Sequence, residues 1–148
     1  MKKILEFENE HSPGMPKYAT FSKESLEYIF DNPSTSAAYG LFDGDNLVGV
    51  GIYRDGKRYY PDKDGTFEIC SIIVHKDERK EGYGKKVLNQ LLQEIKNNQK
   101  PRKIFLTVSP LNKPALILYT KNDFIVCGYK EKSWGNNPRI IMKLSNQK

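Results

Sequence analysis

The segment from Thr66 to Asn97 constrains the fold more than any other part of the sequence. Thr66 to His75 is rich in β-branched residues, and its apolar centre, CSIIV, predicts a strand buried on both faces. A turn containing Gly82 and Gly84 follows, and a helix is predicted from about Gly84 to Asn97. One apolar stripe at helical spacing indicates the side of this helix that packs on a sheet. The stripe consists of Val87, Leu88, Leu91, Leu92 and Ile95.

The remaining hydrophobic patterns predict strands and helices on both sides of this unit. They are a strand at Ile4–Glu8, a helix from the N-cap Ser22 through Phe30, a hairpin of Tyr39–Phe42 and Leu47–Tyr53, a strand at Lys103–Val108, a helix at Asn112–Asn122 with Pro114 in its first turn, and strands at Phe124–Lys130 and Arg139–Leu144. Loops are predicted at residues 55–65 and 131–138. This order predicts one domain over residues 1–148 in which helices pack on a mixed sheet, either α+β or α/β.

Charge and composition exclude several classes of protein. No run of 18 apolar residues is present, and the N-terminal lysines are not followed by the apolar segment of a signal peptide, which indicates a cytoplasmic protein. Cys70 and Cys127 lack metal-ligand spacing and are predicted to be free thiols, so no metal is expected. The net charge of +6 and the nine tyrosines leave a small nucleic-acid-binding protein as an alternative.

The turn before the predicted helix has the chemistry of an anion site. A helix N-terminus carries N–H groups without intrahelical partners, and glycines let an anion approach them. Five basic residues outnumber three acids between Lys76 and Lys86. The glycine spacing differs from both the P-loop and the dinucleotide-binding pattern. The turn therefore predicts a phosphate or pyrophosphate site of another kind, with a plain strand–turn–helix connection as the alternative.

Two motifs in the chain resemble signatures of the GNAT N-acetyltransferase superfamily. RKEGYG, from Arg79 to Gly84, resembles the R/Q-x-x-G-x-G/A loop of that family. NKPALILYTKNDF, from Asn112 to Phe124, is similar to N-x-x-A-x-x-L-Y-x-K-x-G-F, with Asp123 in place of the usual Gly. The resemblance covers residues 66–145. It implies an α+β fold with a mixed, mostly antiparallel sheet of six to seven strands flanked by helices, and acetyl-coenzyme A as co-substrate.

The resemblance also implies direct transfer of the acetyl group to a primary amine in a ternary complex. Tyr119 would donate a hydrogen bond to the coenzyme sulfur, and Glu68 would activate the amine through water, with His75 as a second candidate for the base. Cys70 is expected in the core rather than as a nucleophile. An N–H group near Ile73 or Val74 would stabilise the oxyanion. The coenzyme-binding residues would be Ile72, Ile73, Val74, Arg79, Lys80, Glu81, Gly82, Tyr83, Gly84, Lys85 and Asn112.

The acceptor, a small-molecule or peptide amine, is not identified by these motifs. The loops at 55–65, with Tyr59 and Tyr60, and at 131–138, with Trp134, are expected to recognise it, although their aromatic side chains would serve equally well to cap the core. A catalytically inactive module that binds coenzyme A is a further alternative. Dimers are common in the family, which leaves a homodimer open. Neither a nucleic acid nor a membrane is expected as a partner of the enzyme.

Overall fold

The computed structural model describes residues 23–75, 82–134 and 137–145, which form three helices and six strands. The helices are α1 (Lys23–Asp31), α2 (Tyr83–Asn98) and α3 (Lys113–Lys121). The strands are β1 (Ala37–Asp43), β2 (Asn46–Asp55), β3 (Thr66–Val74), β4 (Lys103–Val108), β5 (Phe124–Trp134) and β6 (Asn137–Leu144). The predicted strand at Ile4–Glu8 and the predicted cap Ser22 lie outside the described residues. None of the described helices is both long and apolar enough to cross a bilayer.

The six strands form one sheet in the order β1-β2-β3-β4-β6-β5. Its neighbouring strands are antiparallel except β3 and β4, which are parallel and are connected through α2. A parallel pair requires such a crossover, whereas the antiparallel pairs need only short turns or an intervening helix. The mixed, mostly antiparallel sheet implied by the resemblance is confirmed, with six strands in the described part of the chain.

Helices cover both faces of the sheet, and the sheet separates the core into two clusters. The larger cluster contains the apolar stripe of α2, buried as predicted, together with residues from α3 and the sheet. The smaller cluster joins Ile29 of α1 to Val50, Ile52 and Ile73. We call the two sides of the sheet the α2 face and the α1 face. A site in the plane of the sheet therefore lies between two separate clusters of the core.

Helix α2 approaches β2 closely because glycine faces it. A Cβ atom at Gly51 would lie 2.6 Å from Cγ1 of Val87 and 2.7 Å from Cδ1 of Leu91. The neighbouring strand residues, Val50 and Ile52, point to the α1 face. The absence of a side chain at Gly51 thus lets α2 pack directly on the backbone of β2.

The last hairpin is longer than the sequence predicts. The loop predicted at 131–138 is wrong in its extent, because β5 continues to Trp134 and β6 begins at Asn137, with which Trp134 pairs. Backbone ladder bonds do not depend on side-chain polarity, so the hairpin extends over residues whose side chains are typical of a turn. Only residues 135 and 136 separate the two strands.

Strand β5 forms one edge of the described sheet. Ile125, Val126 and Tyr129 on this strand are exposed. The pairing with β6 shifts between Val126 and Gly128, so that Cys127 is an extra residue on β5. Cys70 and Cys127 are both free thiols, as predicted.

Helix α3 ends in a left-handed residue at the position where the family motif has glycine. Asp123 has φ 70°, a conformation that Asp tolerates better than most residues but that favours glycine. Its carbonyl oxygen accepts hydrogen bonds from the backbone N–H and the Oγ of Ser145, each at 2.8 Å. The departure from the motif, which leaves the local geometry in question at the level of the sequence, therefore preserves a left-handed end of α3.

Asp123→Gly is expected to raise the free energy of unfolding by about 0.5–1 kcal/mol, because glycine adopts positive φ without a clash of its Cβ atom. Asp123→Ala should lower it, because alanine lacks the short polar side chain that makes this conformation tolerable. Thermal unfolding of the three proteins measures the order. An alanine variant more stable than the glycine variant would contradict a left-handed end of α3.

Candidate active site

The two parallel strands part at one end, and Glu68 and the residues Ile72 to Val74 of β3 border this opening. The pairing of β3 with β4 runs from Thr66 opposite Lys103 to Ile69 opposite Leu106. Beyond this point β3 continues along β2 and β4 continues along β6. Strand edges that separate present backbone donors and acceptors to the space between them. We call this space the β3–β4 slot.

A β-bulge marks the beginning of the slot. Cys70 is an extra residue on β3, because the pairing passes from Ile69 to Ser71 while β2 advances by one residue. A bulge bends its strand and shifts the alternation of side chains by one position. Accordingly, Ile69 packs in the core of the α2 face, whereas Ile73 packs in the core of the α1 face. The bulge thus turns β3 away from β4 where the slot opens.

The three strand residues predicted to bind the coenzyme, Ile72, Ile73 and Val74, lie on the separated part of β3. Ile72 packs against the larger core cluster and Ile73 belongs to the smaller one. The prediction of a strand buried on both faces is confirmed. Their side chains serve packing, and any role in binding falls to their backbone groups along the slot.

The N-terminus of α2 is built to receive an anion. Gly82 is the N-cap in the left-handed conformation, φ 81°, and its carbonyl accepts the first helical hydrogen bond, from Lys86 at 3.2 Å. No side chain caps this end and its first turn holds no acid, within the part of the chain that the structure describes. The helix dipole and the exposed Lys85 and Lys86 make it positive. Of the predicted loop, Arg79, Lys80 and Glu81 lie outside the described residues.

Helix α3 lies beside this end of α2 and carries Tyr119. A Cβ atom at Gly84 would be in van der Waals contact with Leu118, at 3.5 Å from Cδ2. Tyr119 is 8% exposed, and its ring lies 6.0 Å from that of Phe124. The structure thus brings the glycine turn and Tyr119 together on the α2 face.

The environment of Tyr119 keeps its phenol protonated. Burial raises the pKa of this group to about 12, although the nearby charge of Arg139 acts in the opposite direction. The hydroxyl forms no hydrogen bond with any described residue. A protonated hydroxyl without an internal acceptor can donate to a bound ligand.

Asn112 begins the same helix. Its Oδ1 accepts a hydrogen bond from the backbone N–H of Ala115 at 3.3 Å, and Pro114 lies in the first turn as predicted. The capping bond engages the side-chain carbonyl and leaves the amide NH₂ as a donor. The structure therefore assigns Asn112 a structural role beside the predicted one.

Glu68 lies on the α1 face, one residue before the strands part. It is 1% exposed, and both carboxylate oxygens accept hydrogen bonds from Arg58, with Nε at 2.7 Å from Oε1. Burial lowers the pKa of Arg58, but its hydrogen bond and charge interaction with Glu68 outweigh that effect and raise it. The candidate base is therefore held in a two-point ion pair.

Sequence reasoning missed the residues that surround Glu68 on this face. Arg58 comes from the loop after β2, and Arg139 of β6 donates to Thr107, from Nε to Oγ1 at 3.2 Å and from Nη2 to the carbonyl at 3.0 Å. A carboxylate inside an apolar strand indicates that a basic residue forms an ion pair with it, but sequence spacing does not identify that residue. Tyr59 and Tyr60, whose role was open, both pack edge-on against Phe105 and cap the core.

The other two candidates for chemistry occupy structural positions. Cys70 packs against the smaller core cluster, as predicted, and burial raises the pKa of its thiol. A protonated buried thiol is a poor nucleophile. His75 is half-buried directly after β3, where its backbone N–H donates to the carbonyl of Val48 at 2.7 Å.

Solved structures of acetyltransferases share this fold. One neighbour is a GNAT family acetyltransferase from Elizabethkingia anophelis with acetyl-CoA bound, with a TM-score of 0.67 and 19% identity over 84% of this chain and 83% of that one. Another is yncA from Salmonella typhimurium with its cofactor acetyl-CoA, with a TM-score of 0.76 and 15% identity over 99% and 88%. A third is the ribosomal-protein-S18-alanine N-acetyltransferase from Escherichia coli, with a TM-score of 0.73 and 16% identity over 99% and 89%.

A search of curated proteins finds no significant match. The model of the acetyltransferase (GNAT) family matches residues 3–124, which is most of the sequence. The match includes the β3–β4 slot, the glycine turn and Tyr119. The chain therefore belongs to the GNAT acetyltransferase family.

Proposed function

We propose that this protein is a single-domain, cytoplasmic N-acetyltransferase that moves the acetyl group of acetyl-coenzyme A to a primary amine by direct attack in a ternary complex. The observation that carries the proposal is the combination of three features: an N-terminus of α2 at Gly82 that no described side chain caps, the β3–β4 slot, and the protonated hydroxyl of Tyr119, whose neighbour Leu118 contacts Gly84. Two structural neighbours hold acetyl-CoA, which supports the choice of co-substrate.

The described residues fit the parts of this co-substrate. Backbone N–H groups from Gly82 to Lys85 would hold the diphosphate, where no Cβ at Gly82 blocks the approach. Backbone groups of Ile72 to Val74 would pair with the extended pantetheine arm, and Asn112 would donate from its amide. Arg79, Lys80 and Glu81 complete the proposed loop. When bound, the coenzyme supplies an acetyl thioester and a thiolate leaving group.

Tyr119 would act as a hydrogen-bond donor to the departing sulfur. A phenol with a pKa of about 12 holds its proton roughly 3.5 pKa units more tightly than a thiol, so full transfer of the proton would cost about 5 kcal/mol. A hydrogen bond avoids that cost and still stabilises the developing thiolate. The N–H of Ile73 or Val74 would donate to the thioester oxygen as it gains negative charge.

Glu68 would receive the proton of the amine on the α1 face. With the coenzyme bound from the α2 face, the acceptor reaches the slot from the opposite side, where Glu68 lies. A primary amine with a pKa near 10.4 costs about 4–5 kcal/mol to neutralise at pH 7, and a carboxylate base reduces that cost. Because Arg58 occupies both oxygens of Glu68, the amine or its water must replace one of these hydrogen bonds.

Gly82→Ala is expected to weaken the binding of acetyl-coenzyme A by about tenfold or more, because alanine disfavours φ 81° and places a Cβ at the anion site. Calorimetric titration measures the dissociation constants. Gly44→Ala, at φ 62° in the β1–β2 turn, imposes similar strain elsewhere and should leave binding unchanged. Absence of binding to the wild-type protein at high micromolar coenzyme would contradict the proposed function.

Tyr119→Phe should lower kcat by about 10- to 100-fold, the value of a hydrogen bond to a charged group, while the coenzyme dissociation constant stays the same. Release of free thiol with a panel of amines measures kcat. Tyr129→Phe removes a hydroxyl from an exposed tyrosine on β5 and should have no effect. An unchanged kcat in Tyr119→Phe would remove Tyr119 from the mechanism.

Glu68→Gln should lower kcat/KM for the amine by about 10²- to 10⁴-fold at pH 7. The deficit should shrink toward pH 10, because the amine is then neutral without a base. Arg58→Gln breaks the same ion pair but keeps the carboxylate, so it separates loss of the base from loss of structure. A deficit in Glu68→Gln that is constant with pH, or one matched by Arg58→Gln, would rule out the base.

A further inference from the structure

Arg54 is a buried cation on the acceptor side of the sheet. It lies on β2 directly opposite Glu68 and is 7% exposed. Its guanidinium carbon is 3.6 Å from the centroid of the Tyr28 ring, which covers one face of the group. Its Nε is fully buried and has no hydrogen-bond partner in the part of the chain that the structure describes. Stacking on an aromatic ring offsets only part of the cost of burying a guanidinium.

Both carboxylates near Arg54 are already engaged by other donors. Arg58 takes both oxygens of Glu68. Asp55 accepts three hydrogen bonds, from Tyr28 Oη at 2.7 Å, Thr35 Oγ1 at 3.0 Å and the Lys57 N–H at 3.2 Å. Burial raises the pKa of Asp55, but these hydrogen bonds and the charge of Arg54 outweigh it and lower the pKa, so the group is ionised at neutral pH. Among the residues that the structure describes, the Nε of Arg54 donates to neither of these carboxylates.

The Nε of Arg54 lacks an acceptor among the described residues of the α1 face. Of the two carboxylates near it, Glu68 is held by Arg58, and Asp55 acts on Arg54 through its charge but accepts its hydrogen bonds from other donors. A buried polar nitrogen without an acceptor is costly, because it has lost its hydrogen bonds to water. This nitrogen therefore has the form of a site that an anionic group completes.

Arg54 also lies close to the place where the reaction would occur. Glu68 precedes the last paired residue of β3, Ile69, so it borders the β3–β4 slot. Arg54 is its direct partner on β2, and neighbouring strands lie about 4.8 Å apart. An acceptor whose nitrogen enters the slot beside Glu68 would have its next few atoms within reach of Arg54.

We propose that Arg54 binds an anionic group of the acceptor, so that the protein acetylates amines that carry a carboxylate or a phosphate a few bonds from the nitrogen. The proposal rests on the proposed acetyl transfer. Such an acceptor carries both a positive and a negative charge in solution. Its ammonium group would replace Arg58 in one hydrogen bond to Glu68, and its anionic group would bind Arg54. The bound acceptor thus replaces one internal pair by two and supplies the hydrogen-bond acceptor that the Nε of Arg54 lacks among the described residues.

Matched pairs of amines test the proposal. With acetyl-coenzyme A, the wild-type protein should prefer β-alanine to n-propylamine, or O-phosphoethanolamine to ethanolamine, by about tenfold or more in kcat/KM. The two pairs distinguish a carboxylate from a phosphate. Arg54→Gln should abolish the preference by raising KM for the acidic amine, and Arg54→Lys should retain part of it. Equal rates within both pairs, or an equal loss for acidic and neutral amines in Arg54→Gln, would overturn the proposal.

A binding measurement separates this proposal from the proposed function. Calorimetric titration of the protein with N-acetyl-β-alanine and with N-propylacetamide needs no turnover. Binding of the acid alone, lost in Arg54→Gln, would support the anion site even if no amine released thiol. Turnover without any preference for the acid would leave acetyl transfer intact and remove the role of Arg54. Lys57→Gln removes an exposed cation three residues away and should leave the preference unchanged; an equal loss there would assign the effect to overall charge.

Discussion

The parting of β3 from β4 is the constraint on which the rest of the site depends. Two parallel strands that stayed paired to their ends would bury every backbone group between them. Here the bulge at Cys70 redirects β3 after Ile69, so that the strand remains attached to β2 while β4 follows β6. The helix that connects the two strands must then begin beside the opening. Gly84 in the first turn of this helix contacts Leu118, so α3, which carries Tyr119, lies beside the same end of α2.

The two faces of the sheet supply different chemistry to the same slot. The α2 face offers a helix N-terminus, two exposed lysines and a neutral phenol, which suits a large polyanion with a sulfur atom at its end. The α1 face offers a carboxylate embedded among guanidinium groups, which suits a small ionic molecule. Because the sheet separates these two sets of charges, each face can be specific without interfering with the other.

The sequence predicted the elements that local patterns determine. The buried strand and the striped helix follow from side-chain periodicity. The left-handed end of α3 was in question, because Asp123 replaces the motif's glycine and only the structure shows that the conformation is kept. The bulge could not be predicted, because Ile72 and Ile73 are identical and give the same apolar pattern in either register. The partner of Glu68 was also hidden, since Arg58 lies ten residues earlier and only the folded loop brings it back.

The irregular edge at β5 has a consequence for self-association. An edge strand with exposed apolar residues invites another chain to extend the sheet, and Ile125, Val126 and Tyr129 provide such an edge. The extra residue at Cys127 and the second shift after Lys130 interrupt the row of backbone groups that an added strand would need. Pairing of another chain with β5 is therefore disfavoured. The protein can keep exposed apolar residues on this edge strand without the tendency to polymerise that a regular edge strand would have.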